Sequence, residues 1–338
     1  MALDSLTPDR YQQIILNMSA ERTAIVKGIA GSGKSLTLLK KAKQVSIITD
    51  SYAIIVYTKS LKQFFVDELA EIGKTEGHVY YFEEWKRSSK PQYTYMFIDE
   101  CQDFSANDID DFRQHGQFCW FFGDSSQSIM GFKDHGIQSV EDTEKQLNIH
   151  PQHLGINYRL SIENAKVGEY IVPKSRLSFY CIKHGPKPKL IKSVSQLDSI
   201  IEYINNGMTD IGILVYYNNQ VIKIKDYFLS KGIPVQWKTT DGMEIDFKST
   251  SPKIITWHCA KGLQFTNVYI PYCGLGEYIQ FVPAHWTTEP MNCKSALYVA
   301  TTRPLENLFL IYSNNLSPLL PDIDSTIYSG TDIADGPF

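Results

Sequence analysis

"GIAGSGKS", Gly28 to Ser35, decides how the chain is read. It fits G-x-x-x-x-G-K-[ST], with Gly28, Gly33, Lys34 and Ser35 in register, and it lies between the apolar run "TAIVKG" and the helical pattern "SLTLLKKAKQV". Strand, glycine loop and helix form the order that a phosphate-binding loop requires. The small loop residues Gly28, Ala30, Gly31, Ser32 and Gly33 let successive N–H groups turn inward on phosphate oxygens, and the helix start adds partial positive charge. Lys34 then reaches the β- and γ-phosphates, and the Ser35 hydroxyl ligates Mg²⁺. The plain alternative, a Gly/Ser turn before an ordinary helix, leaves the agreement of both flanks unexplained. A phosphate loop alone names no reaction.

Outward from the loop, 338 residues suffice for two domains, and 43% hydrophobic residues is ordinary for a globular protein. A formal charge of −4 argues against a broadly basic surface, so a nucleic-acid contact has to be made in a local groove. "MALDSLTPDR" lacks a basic segment followed by an apolar core, and no apolar run approaches membrane-spanning length. The chain reads as soluble and unsecreted. Cys101, Cys119, Cys181, Cys259, Cys273 and Cys293 form no C-x-x-C pair, which fits buried thiols in a reducing cytoplasm and no zinc site.

Short apolar runs alternate with helical patterns: "AIIVYT", "SLKQFFVDELAEI", "YTYMFID" and "FCWFFGD", then "IGILVYY", "NQVIKIKDYFLSKG", "KIITWH", "NVYIPY" and "NLFLIYS". Such alternation predicts parallel sheets flanked by helices, here an α/β chain of two lobes. The expected divisions are 1–152, 153–312 and a polar, acidic, loosely attached tail over 313–338. "KHGPKPKL" reads as a solvated loop. No repeat period is visible.

"YMFIDECQDF" sets Asp99 and Glu100 directly after an apolar strand. Beside a phosphate loop, the first carboxylate holds Mg²⁺ and the second orients and deprotonates the attacking water. Without that loop the pair reads as a solvated turn. In "FFGDSSQSIMGF" another strand ends at Gly123 and Asp124, and the Gln127 amide is placed to touch the γ-phosphate and the water.

At this point the order of motifs resembles the superfamily 1 helicases, in particular the UvrD/Rep-like branch. "AGSGKS", "IDECQDF" and "GDSSQSIMGFK" are similar to its motifs I, II and III, and "INYRLS", "HCAKGLQF" and "LYVATTR" to its NYRS, HxxKGLEF and YVAxTR elements. The resemblance spans Leu6 to Arg303 and implies that the two α/β lobes are RecA-like domains. It implies that Arg159 and Arg303 reach the γ-phosphate from the second lobe and neutralise charge as it is transferred. Tyr158 matches the adenine-stacking position, with a core tyrosine as the alternative. In "LTPDRYQQIIL" the adenine-reading glutamine falls on Gln12, with Gln13 as second choice, because Arg10 stands where the usual spacing expects it.

The resemblance also implies a strand path. Tyr57, Thr58 and Lys59 occupy the motif Ia positions, Phe132 and Lys133 an aromatic and a cation of motif III, and His258 the motif V histidine. Aromatic faces and cations are what single-strand binding needs. Several residues depart from the pattern: Met130 replaces a tyrosine, Gln264 replaces the ribose-holding glutamate, and Glu83 sits where a strand-contacting histidine is expected. About a dozen residues separate Trp85 from Ile98, and fewer than about twenty separate Trp237 from Ile254, too few for the accessory domains that UvrD-like helicases insert there. The expectation is therefore an ATP- and Mg²⁺-dependent 3′ to 5′ motor on single-stranded nucleic acid, DNA before RNA. Its missing surfaces would come from a protein partner, such as a nuclease in a repair or anti-phage complex. The rival is a nucleotide-switched subunit that docks such a partner without translocating.

Overall fold

The computed structural model describes residues 7–57, 59–70, 78–127, 136–239, 245–246, 249–277, 293–324 and 326–330. The chain divides into two compact units, Met1–Asn157 and Tyr158–Phe338.

The first unit is built on a six-stranded parallel sheet: β1 (Ala24–Gly28), β2 (Tyr52–Val56), β3 (Val79–Tyr81), β4 (Tyr93–Ile98), β5 (Gly116–Gly123) and β6 (Gln152–Leu154), in the order β3-β2-β4-β5-β1-β6. Successive strand residues point to opposite faces, and here both faces are covered. Val26, Ile54, Phe97 and Trp120 pack on one side with α2 (Lys34–Ser46), while Ile25, Ile55, Met96 and Phe121 pack on the other with α5 (Ala106–His115). That double burial is why these strands read as unbroken apolar runs. β6 continues this sheet past residue 152.

The strand order matters for chemistry. β5 lies between β1 and β4, so the turns that follow β1, β4 and β5 leave the same edge of the sheet as neighbours. Ligands of open parallel sheets gather at that carboxyl edge.

The second unit has its own parallel sheet: β9 (Lys189–Lys192), β10 (Ile211–Val215), β11 (Gln236–Lys238), β12 (Lys253–Thr256), β13 (Phe265–Ile270) and β14 (Pro304–Tyr312), in the order β11-β12-β10-β13-β14-β9. β7 (Asn157–Ser161) and β8 (Cys181–Lys183) form a separate pair. Ile213, Ile254, Tyr269 and Phe309 build its core with α9 (Asn218–Ser230). The α/β class with two parallel sheets is as expected from the alternation of patterns.

The described part of the 313–330 segment is docked, not loose. Tyr328 is 1% exposed and Leu320 2%. Ser329 exchanges backbone hydrogen bonds with the chain around β9, donating to Pro188 O at 2.9 Å and accepting from Leu190 N at 2.7 Å. Leu320, Pro321 and Tyr328 are its buried anchors, with Leu319 packed beside Tyr216, Tyr217 and Ala296. Among the described residues no helix is long and apolar enough to cross a membrane.

Candidate nucleotide site

The loop after β1 leads into a helix start that no side chain caps. α1 (Arg10–Asn17), α5, α6 (Val140–Leu147) and α7 (Ile162–Ile171) begin under Asp9, Ser105, Ser139 and Ser161 side chains, whereas α2 begins at Gly33 with no side-chain cap bond, as α9 does at Tyr217. Its first N–H groups are left to a ligand, and the helix dipole favours an anion there. Gly33 has φ +80°, and a Cβ there would lie 2.5 Å from Gln12 Nε2. At Gly28 a Cβ would lie 2.4 Å from Ser32 Oγ. Glycine is required at both. Ser32 Oγ is itself buried with no hydrogen-bond partner.

Lys34 is buried and folds back on the loop: its Nζ donates to Gly28 O at 2.8 Å and Ile29 O at 3.1 Å, with Asp124 Oδ2 at 4.0 Å. Ser35 Oγ donates to Asp99 Oδ2 at 2.8 Å. Asp99 is fully buried at the end of β4, and its Oδ1 accepts from Glu100 N at 3.0 Å. Burial, and next the charge of Glu100, push the Asp99 carboxyl well above the usual carboxylate range, against the pull of Ser35 and Lys34. Glu100 has φ +54°, a left-handed conformation that turns its side chain off the strand line.

Gln102, which the sequence reading passed over, ties the set together. It is fully buried, donates through Nε2 to Glu100 Oε2 at 2.6 Å and accepts from Asp124 N at 2.9 Å. Asp124 Oδ2 accepts from Gln127 Nε2 at 2.8 Å, and Asp124 Oδ1 from Ser126 N at 3.0 Å. The one sequence signal for Gln102 is an amide two residues beyond the second carboxylate. Gln12 joins the loop, donating to Ser32 O at 3.4 Å, while Gln13 is exposed.

The strand candidates stand differently. Thr58, Phe132 and Lys133 lie outside the described residues. Tyr57 is wedged between Phe82 and Phe104, with ring centroids at 5.6 and 5.4 Å. Burial raises its hydroxyl pKa, and Asp103, Glu83 and Asp108 add to the shift, so the surroundings are negative. Lys59 Nζ stands over the Tyr81 ring at 5.6 Å.

In the second unit Tyr158 is 40% exposed. Arg159 donates to Gln264 Oε1 at 3.4 Å and to Thr302 O at 3.3 Å, which brings Arg159, Gln264 and the residue before Arg303 together. Arg303 is 1% exposed and donates to Val299 O at 2.8 Å, Leu263 O at 3.3 Å and Thr302 Oγ1 at 2.9 Å. The His258 ring is half-buried, 5.4 Å from Tyr216.

A sequence-family model described as the viral superfamily 1 RNA helicase core domain matches residues 24–197, just over half of the chain. A second, the UvrD-like helicase C-terminal domain, matches residues 237–315. No curated protein sequence matches at a significant level. Among solved structures, the C-terminal domain of a possible DNA helicase from Lactobacillus plantarum WCFS1 is 16% identical, with 51% of this chain and 98% of that one covered and a TM-score of 0.39. The arterivirus nonstructural protein 10 helicase is 15% identical, with 94% and 65% covered and a TM-score of 0.46. The PRRSV helicase is 14% identical, with 89% and 54% covered and a TM-score of 0.48. The chain thus spans less than two thirds of the length of these viral helicases. With the match over residues 24–197, the chain belongs to the viral superfamily 1 RNA helicase core family, and so to the superfamily 1 helicases, enzymes that hydrolyse nucleoside triphosphates.

Proposed function

We propose that the chain is an ATP- and Mg²⁺-dependent motor that moves 3′ to 5′ along single-stranded nucleic acid, DNA in preference to RNA. One observation carries this reading: hydrogen bonds run without a break from Ser35 through Asp99, Glu100 and Gln102 to Asp124 and Gln127, beside an uncapped helix start.

The residues fit a magnesium nucleotide. Ser35 and Asp99 would hold Mg²⁺, and two hard oxygens leave its other positions to phosphate and water, as Mg²⁺ prefers. The buried Asp99 carboxyl and the unpartnered Ser32 hydroxyl are groups that a cation and a phosphate would satisfy. When bound, the ion would draw charge from the β- and γ-phosphates. Lys34 exchanges the Gly28 and Ile29 carbonyls for phosphate oxygens. Glu100 orients the attacking water and takes its proton, and Gln102 fixes the Glu100 carboxylate while it does so. Gln127 senses the γ-phosphate. Arg159 and Arg303 offset charge on the transferring phosphoryl group, since a planar guanidinium can bond two of its oxygens at once. Gln12 reads adenine, Tyr158 stacks on it and Gln264 meets the ribose. Gly28, Ala30, Gly31, Ser32 and Gly33 form the cradle.

The strand would run over Tyr57, Thr58, Lys59, Phe132, Lys133 and His258. Only residues 88–92 separate α4 (Phe82–Arg87) from β4, which supports a minimal UvrD/Rep-like motor without the insertion found there in its larger relatives. A partner, such as a nuclease in a repair or anti-phage assembly, would supply the missing surfaces. Four of the five cysteines with described side chains are buried and all five are free, which suits a cytoplasmic setting. ATP hydrolysis measured alone, with single-stranded DNA and with single-stranded RNA tests the reading. Several-fold stimulation by DNA supports it, and greater stimulation by RNA would reverse the preference.

The negative surroundings of Tyr57 favour a second reading, in which nucleotide binding switches a docking surface and no strand is tracked. ATP turnover unchanged by either nucleic acid would establish it in place of the motor.

A further inference from the structure

Lys41 carries a charge into the interior of the first unit. It lies on α2, seven residues after Lys34, and is 2% exposed. A buried ammonium needs acceptors. It finds them where α1 ends: Nζ donates to Leu16 O at 2.9 Å and also to Met18 O, and it stands 5.1 Å from the centre of the Trp120 ring. Trp120 fastens the same connection by donating Nε1 to Ala20 O at 3.2 Å. The last carbonyls of a helix carry its negative partial charge, so a cation is favoured there even though burial lowers the Lys41 pKa.

The other end of α1 meets the phosphate loop. Gln12 Oε1 accepts from Asp9 N at 3.2 Å, and Gln12 Nε2 donates to Ser32 O at 3.4 Å. The same amide lies beside Gly33, where a Cβ would come within 2.5 Å of Nε2. An eight-residue helix is only about 12 Å long, so movement at one end is passed to the other. α2 therefore grips α1 through Lys41 and meets it again beside Lys34.

We propose that Lys41 is a positioning residue that sets the register of α1 on α2, so that base selection depends on a lysine that touches no nucleotide. The proposal rests on Gln12 being the base-reading amide. A plain structural plug would lower stability without changing the choice of base.

The test is equilibrium binding of ATP and of GTP, each with Mg²⁺, measured by calorimetry on the wild type and on Gln12→Ala, Lys41→Met, Lys41→Arg and the Gln12→Ala/Lys41→Met double variant. Methionine keeps the apolar stem and removes the charge. The preference for ATP should fall about tenfold in each neutralising single variant, fall no further in the double, and return in Lys41→Arg. Should Lys41→Met fail to fold, Lys41→Gln is too short to serve both carbonyls and should lose about threefold. Wild-type preference in folded Lys41→Met or Lys41→Gln, or losses that multiply in the double, would overturn the role of Lys41 and leave Gln12 standing. Wild-type preference in Gln12→Ala would overturn both.

Discussion

Ser35, Asp99, Glu100 and Gln127 in the first unit and Arg159 and Arg303 in the second are held by different kinds of bond, while Lys34, stored on the Gly28 and Ile29 carbonyls, is held as Arg303 is. In the first unit, side chain meets side chain: Ser35 with Asp99, Gln102 with Glu100, Gln127 with Asp124. In the second, Arg303 is stored largely on main-chain carbonyls, and Arg159 shares one bond with Gln264. A side-chain network fixes several functional groups relative to one another and loses many of them when one is removed. Carbonyls are donor-blind acceptors that give up a guanidinium without leaving a charge behind. The first arrangement suits groups whose spacing must not change, and the second suits groups that change partners.

The sharpest way to break this contrast is Glu100→Gln. It keeps an acceptor for Gln102 and removes the base, so ATP binding should persist while turnover falls about a hundredfold to a thousandfold. Steady-state hydrolysis and nucleotide titration read the two effects separately, and unchanged turnover would remove Glu100 from its role.

Next comes the second unit's pair, which stability should separate even if activity does not. Arg303→Ala deletes three donors from a buried site and should cost about 3 kcal/mol in urea unfolding. Arg159→Ala, at a half-buried position, should cost less than about 1 kcal/mol. Both should lower turnover at least about tenfold by loss of charge at the phosphoryl group. Equal stability losses would mean that Arg303 is no more embedded than Arg159.

Gln102→Leu tests the network itself. It leaves Asp124 N without its acceptor and frees the Glu100 carboxylate, so a stability loss of about 2 kcal/mol should accompany a roughly tenfold fall in turnover. A loss confined to stability would make Gln102 a core residue only.

These contrasts mark where the sequence was readable. The phosphate loop, the carboxylates after β4 and the alternation that gives two parallel sheets were legible because each is local: a spacing, a strand ending, a period. What depends on distant partners was not. Gln102 looks like any polar residue until β5 brings Asp124 beside it, and Lys41 looks like a surface lysine until α1 folds over it. Tyr57 fits a strand-contact motif, yet Phe82 and Phe104, far along the chain, enclose it. The 313–330 segment reads as loose from its prolines, glycine and polar residues, because the backbone bonds that dock it, to Cys273, Leu275, Pro188 and Leu190, come from distant parts of the chain.

The smallest effect expected is also the one that turns function against stability. Asp99 is buried beside Glu100, and its carboxyl titrates above the value of about 3.9 that it has in an unfolded chain. A raised folded-state pKa means that the wild type has this group's full stability below about pH 4 and loses it as pH climbs through the folded pKa. Asp99→Asn removes the titration and can keep an acceptor for Ser35 Oγ or for Glu100 N. Its stability relative to the wild type should therefore grow as pH rises above about 4 and level off once the folded carboxyl has ionised in the nucleotide-free protein. If Asp99 holds Mg²⁺ as proposed, the ion should reverse the order, because the wild type would gain stability by binding a cation there and the variant would not. Thermal melts of both proteins from pH 4 to 8, with and without Mg²⁺ and ATP, check this. A gap that stays constant with pH would show that burial of the charge is not what the first unit holds in reserve for its ligand.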